Sequence, residues 1–146
     1  MLKGIPKCIS PQLLKTLAEM GHGDTIVLGD AFFPAASCAR AGGGELIRAD
    51  GVSSTELADA ILTLMPLDSV QYPVLIMDKP ESMSDLETPV WDAYKRIVAK
   101  HDPRGESCVG MIERFAFYEA AKQAFAVVST GEEAYFGCLI LQKGTK

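Results

Sequence analysis

Two side chains in this chain can exchange a proton near neutral pH at their ordinary pKa, His22 and His101. His22 lies in Gly21-His22-Gly23-Asp24, where flanking glycines leave its ring reachable by a ligand. The same spacing also suits a plain turn in which the glycines serve backbone conformation alone. Asp30 stands just past the β-branched run that follows. His101, in Lys100-His101-Asp102-Pro103, reads as a solvated helix end, where a cationic ring meets the helix dipole. Arg114, in Glu113-Arg114-Phe115-Ala116-Phe117-Tyr118-Glu119, directly follows an expected strand. A guanidinium there can bind hydroxyls, a carboxylate or a phosphate, or it can simply pair with Glu113 or Glu119. Phe115, Phe117 and Tyr118 read mainly as core, although a buried phenol seeks a partner.

Other chemistries lack their residues. No G-x-G-x-x-G, G-x-x-x-x-G-K or G-x-S-x-G occurs, and Gly42-Gly43-Gly44 precedes a strand rather than a phosphate-binding helix start. Cys8, Cys38, Cys108 and Cys138 are too scattered for a zinc or redox motif, and two distant histidines make a weak metal pair. Neither metal nor cofactor is expected. With 19 acidic and 14 basic side chains, the formal charge of −5 argues against a nucleic-acid partner. No stretch approaches the roughly 20 apolar residues of a membrane span. Met1–Pro6 lacks the apolar core of a signal peptide, so reduced thiols and a cytoplasmic location are expected.

The elements that must position these groups alternate. Ser10 caps a first helix with Pro11 at its start and Leu13, Leu14, Leu17 and Met20 on one face. Thr25–Leu28 reads as a buried strand, and Glu45–Ala49 as a second after the triglycine turn. Ser53-Ser54-Thr55-Glu56 fits a capping box for a helix bearing Leu57, Ala60, Ile61 and Leu64. Pro73–Met77, Cys108–Ile112, Phe125–Ser129 and Tyr135–Leu141 complete six strands. Helices are expected from Thr88-Pro89 and around Phe117–Gln123, with 78–87 an exposed loop. The alternation predicts a single α/β domain over 1–146, with a largely parallel sheet flanked by helices and a C-terminal hairpin through Thr130–Glu133.

Beyond these patterns, particular blocks resemble the RbsD/FucU family of ribose pyranases and fucose mutarotases. They are Leu2-Lys-Gly-Ile-Pro6, Leu17-Ala-Glu-Met-Gly-His-Gly-Asp24, Ile47-Arg-Ala-Asp-Gly51, Leu64-Met-Pro-Leu-Asp68, Ile112-Glu-Arg-Phe-Ala-Phe-Tyr-Glu119 and Leu139-Ile-Leu-Gln-Lys-Gly144. They run colinearly over nearly the whole chain, and the Glu-Arg-Phe-x-Phe-Tyr-Glu block resembles the fucose branch. The resemblance implies a three-layer RbsD-like fold and cofactor-free exchange of the anomers of a free monosaccharide, L-fucose first. It implies that His22 matches the proton donor and that Asp30, Arg114, Phe136, Gly137 and Cys138 match sugar-binding positions. Asp68 and Tyr118 are further candidates for the same pocket. It also implies a homo-oligomer, a decamer of stacked rings, with sites near subunit interfaces.

Such chemistry suits these side chains. Mutarotation needs a proton delivered to the ring oxygen and one removed from the anomeric hydroxyl, work for which histidine is the natural choice. Asp30 can orient the imidazole or hold sugar hydroxyls, and Phe32, Phe33 or Phe136 can face the sugar's C–H side. The chain departs from the family at one place: Phe136-Gly137-Cys138 stands where the family usually reads Tyr-Gly-Asn, so a hydroxyl and an amide are missing. Tyr135, as a neighbouring strand residue, is expected to face the other way. Two further readings therefore stand beside mutarotation of L-fucose. One is a non-catalytic sugar-binding or regulatory protein, the other an enzyme for a different sugar such as ribose. A purely structural assembly protein is a third.

Overall fold

The computed structural model describes residues 2–146. Five helices surround one six-stranded sheet: α1 (Pro11–Glu19), β1 (Thr25–Gly29), α2 (Ala35–Gly42), β2 (Glu45–Ala49), α3 (Ser54–Leu64), β3 (Val74–Met77), α4 (Pro89–His101), β4 (Val109–Ile112), α5 (Arg114–Lys122), β5 (Ala126–Thr130) and β6 (Leu139–Gln142). Strand order is β2-β5-β1-β6-β3-β4. The β1–β5, β2–β5 and β3–β4 pairs are parallel, while β6 runs antiparallel to both β1 and β3.

Local signals account for most element ends. Ser10 Oγ accepts from Leu13 N at 3.1 Å and Ser53 Oγ from Glu56 N at 3.2 Å, so both expected caps form. Alternation along the strands then sends residues to two faces. Ile26, Leu28, Ile76, Val128, Leu139 and Leu141 pack under α1, α3 and α4. Val27, Met77, Val127 and Ile140 pack under α2 and α5, around Phe117. Three layers result, as the resemblance implies.

Three expectations need correction. The C-terminal hairpin does not form: β1 lies between β5 and β6, and β6 starts at Leu139 rather than Tyr135. Residues 131–138 instead cross the sheet end as a connection, because β6 inserts between β1 and β3 and joins the sheet's two halves. The triglycine follows a helix, α2, which the sequence reading left out. There Gly43 takes the left-handed conformation (φ 74°) that ends α2. A Cβ on Gly42 would stand 1.4 Å from Lys122 O, so that glycine permits a close approach to α5. Finally, the side chain of His101 is 16% exposed and meets Asp59 Oδ1 on α3 at 2.6 Å. It ties α4 to α3 instead of standing free in solvent, and that bond, with Lys100 beside it, holds the Asp59 carboxyl below its ordinary range.

Candidate active site

The residues singled out for sugar chemistry gather in two places, at opposite ends of the sheet. At the carboxyl ends of the parallel strands lies a cavity of about 260 Å³. Asp30, immediately after β1, lines it with Met77 at the end of β3, Arg114 and Tyr118 on α5, and Phe136 and Cys138 before β6. Gly137 does not line the cavity; it sits in the turn behind. A Cβ there would come within 2.8 Å of Glu132 Cγ, so the glycine serves packing.

Each group in this cavity is fixed by its neighbours. Asp30 is buried, and its Oδ1 accepts from Phe32 N at 3.0 Å. Its own N–H donates to Cys138 Sγ at 3.3 Å. Burial pushes the Asp30 carboxyl up, against the pull of the Cys138 thiol and the Phe32 and Phe33 N–H groups. Burial likewise pushes the Cys138 thiol well above its usual range, with the Asp30 charge adding to it. Glu113 caps α5 by accepting from Phe115 N and Ala116 N at 3.0 and 2.9 Å, and Glu119 pairs with Lys122. Neither acid is paired with Arg114, so the ion pair weighed from the sequence is not made. The guanidinium lies 5.0 Å from the Phe115 ring centre and 6.0 Å from that of Tyr118. Its Nε is buried without a hydrogen-bond partner among the described residues. A buried donor left unpaired is costly, so a ligand oxygen is the natural complement.

The turn carrying Phe136 is clamped from the other face. Trp91 Nε1 donates to Phe136 O at 3.0 Å and Tyr94 Oη to Gly137 O at 2.9 Å. Ser54 Oγ touches the Tyr94 hydroxyl and donates to Glu132 Oε2 at 2.7 Å, while Glu132 Oε1 accepts from Ala134 N at 3.0 Å. Nothing in the sequence pattern tied Ser54, Tyr94 or Glu132 to the site; the one signal available was a tyrosine on a helical face with its hydroxyl to satisfy.

His22 and Asp68 stand at the amino end of β1. The strand between them and Asp30 spans roughly 15 Å at its usual rise per residue. His22 Nε2 meets Asp68 Oδ2 at 3.2 Å, with the His22 side chain 63% exposed and that of Asp68 4%. Gln142 Nε2 donates to the same oxygen at 3.0 Å. Burial raises Asp68, but the Ser69 N–H, His22 and Gln142 outweigh it and hold the carboxyl below its ordinary range. Arg104 fixes the segment by donating to Asp68 O at 2.7 Å and Val70 O at 2.9 Å. Asp68 accepts from His22 Nε2, so Nδ1 is the ring nitrogen that this contact leaves free. Asp30 therefore does not orient the imidazole of its own chain; Asp68 does. Arg104 and Gln142 were missed because they act through a loop and a strand distant in sequence.

Comparison with known proteins agrees with this architecture. The family model of the RbsD / FucU transport protein family matches residues 3–146. The fucose mutarotase of Bos taurus is 52% identical over 147 residues, covering 99% of this chain and 94% of that one. The crystal structure of FucU from Bifidobacterium longum superposes with a TM-score of 0.94 at 47% identity, covering 99% of each chain. That of the Streptococcus pneumoniae fucose mutarotase in complex with L-fucose gives 0.91 at 46% identity, again over 99% of each. Matched from end to end in sequence and in fold, the chain belongs to the RbsD / FucU family.

Proposed function

We propose that this protein is an L-fucose mutarotase whose site is completed by a second copy of the chain. The observation that carries the sugar pocket is the unpartnered Arg114 Nε in the cavity that the buried Asp30 also lines, within walls of Phe32, Phe33 and Phe136. A guanidinium donor, a carboxyl group and aromatic faces together suit a neutral polyol. Its hydroxyls satisfy the polar atoms while its C–H side covers the rings. Relatives of near half identity that carry the name fucose mutarotase make L-fucose the first choice.

Proton transfer is assigned to His22. As the imidazolium, His22 delivers its Nδ1 proton to the ring oxygen, and the C1–O bond to that oxygen breaks as the anomeric hydroxyl gives its proton to water and becomes the aldehyde. Rotation about C1–C2 and the reverse steps give the other anomer, with no net proton change. Asp30 and Arg114 hold the hydroxyls that do not react. Since β1 separates His22 from this pocket in one chain, the His22–Asp68 edge of one copy is assigned to the Asp30–Arg114 pocket of the next. Exposed apolar side chains at both ends support such a contact: Phe32, Met83 and Phe115 at the pocket, Val70 and Tyr72 near Asp68. Joining unlike ends of identical chains builds a closed ring when the rotation per copy closes, and the decamer implied by the resemblance is two such rings. Four unpaired thiols favour a cytoplasmic setting.

Saturation-transfer NMR tests the activity. Exchange between the α and β anomers of L-fucose should speed up with the protein present, and His22→Ala should remove about 10²–10⁴-fold of that acceleration. Unchanged exchange of L-fucose, ribose and galactose would refute a mutarotase. One observation favours a binding protein instead: Phe136 offers no hydroxyl, and the Cys138 sulfur accepts from the Asp30 N–H. Calorimetric binding of L-fucose without faster exchange would select that second reading.

A further inference from the structure

The segment before β6 is a turn, and this changes which side chains reach the cavity. Gly137 N donates to Ala134 O at 3.2 Å, and Phe136 has φ of 56°, in the left-handed region rarely used by a bulky residue. In an extended strand, Tyr135 and Phe136 would face opposite sides. Here both line the cavity that holds Asp30 and Arg114, so the expectation that Tyr135 faces away fails. Three bonds hold the turn from behind, from Trp91 to Phe136 O, from Tyr94 to Gly137 O and from Ala134 N to Glu132. Tyr135 thus springs from a fixed backbone.

Tyr135 is 64% exposed, and its hydroxyl has no hydrogen-bond partner among the described residues. Its neighbours around the mouth (Phe32, Met77, Met83 and Phe136) bring no hydroxyl; Tyr118, the other phenol of the cavity, lies across it on α5. We propose that Tyr135 is a specificity-determining residue, its hydroxyl hydrogen-bonding one hydroxyl of the bound sugar at the mouth of the cavity. The inference rests on the sugar-pocket assignment above. A phenol suits this task because it both donates and accepts, and because ordering it costs little rotational freedom. It complements the Asp30 and Arg114 side chains of the same cavity with a neutral contact that reads one hydroxyl position.

Tyr135→Phe is the test, assayed by saturation transfer on L-fucose and on monodeoxy analogues that each lack one ring hydroxyl. KM for L-fucose should rise about 3–10-fold, the loss of one hydrogen bond, with kcat little changed. One analogue, poorly used by the parent protein, should suffer no further penalty in the variant, because the same bond is already missing. An unchanged KM for L-fucose, or an equal penalty on every analogue, would overturn the assignment. So would a variant whose KM rises only because light scattering shows a broken assembly. Arg114→Ala separates the two layers of inference. If it raises KM and Tyr135→Phe does not, the pocket stands and the role of Tyr135 falls. If neither does, the pocket itself is misplaced.

Discussion

Asp30 stands out of water at the end of β1. Its carboxyl is buried, and its ionisation is opposed by that burial more than it is helped by the Cys138 thiol and two backbone N–H groups. The sign of its contribution to stability follows. The folded pKa lies above the unfolded value near 3.8, so the unfolded chain gives up this proton first as pH rises. Stability is lost through the window between those two pKa values and stays lost above it. Asp30→Asn removes that loss and keeps an oxygen for the Phe32 N–H. The variant should therefore be more stable than the parent at neutral pH, with a smaller gap near about pH 4, while losing activity. Denaturant midpoints at the two pH values check this; a variant less stable at neutrality would show that the charge is better compensated than burial implies. At this scale the sequence was informative about residue identity: His22, Asp30 and Arg114 stood out by context. It was silent on partnership, because the His22–Asp68 contact depends on the loop before β3 meeting the end of β6.

Among the elements, the turn from Ala134 to Gly137 matters most, since it presents the cavity with Tyr135 and Phe136. The Tyr94 hydroxyl, pushed far above its ordinary pKa by burial, keeps its proton for Gly137 O and contacts Ser54. Tyr94→Phe leaves the Gly137 carbonyl without the phenol's proton, while Ser54 still donates to Glu132. It should cost about 1–3 kcal/mol of stability. Because the turn loses a clamp, KM for L-fucose should rise more than kcat falls. A stability loss with unchanged KM would confine Tyr94 to packing. The strands and the capped helices were legible because β-branched runs and Ser caps are local signals. Helix α2, Ala-Ala-Ser-Cys-Ala-Arg-Ala-Gly, was not. Its buried face is made of small residues, and Pro34 offers it no side-chain cap. Nor was the place of β6 legible, since insertion between β1 and β3 is set by tertiary packing and no local turn announces it.

On the scale of the whole molecule, the sheet both unites and divides the site. It fixes the pocket at its carboxyl end and the imidazole at its amino end, about a strand's length apart. A sugar shorter than that strand cannot touch both within one chain. Shared catalysis therefore makes activity a property of the assembly, and each defective half should be rescued by an intact half from a neighbour. His22→Ala keeps the pocket, and Arg114→Ala keeps the imidazole. When the two inactive variants are co-assembled in equal amounts, about a quarter of the contacts between neighbours in the ring unite an intact imidazole with an intact pocket. Saturation-transfer NMR on L-fucose with such mixed assemblies, their mixing verified by native mass spectrometry, should recover about a quarter of the parent exchange rate. Exchange no faster than that of either variant alone, in assemblies shown to be mixed, would contradict the shared site.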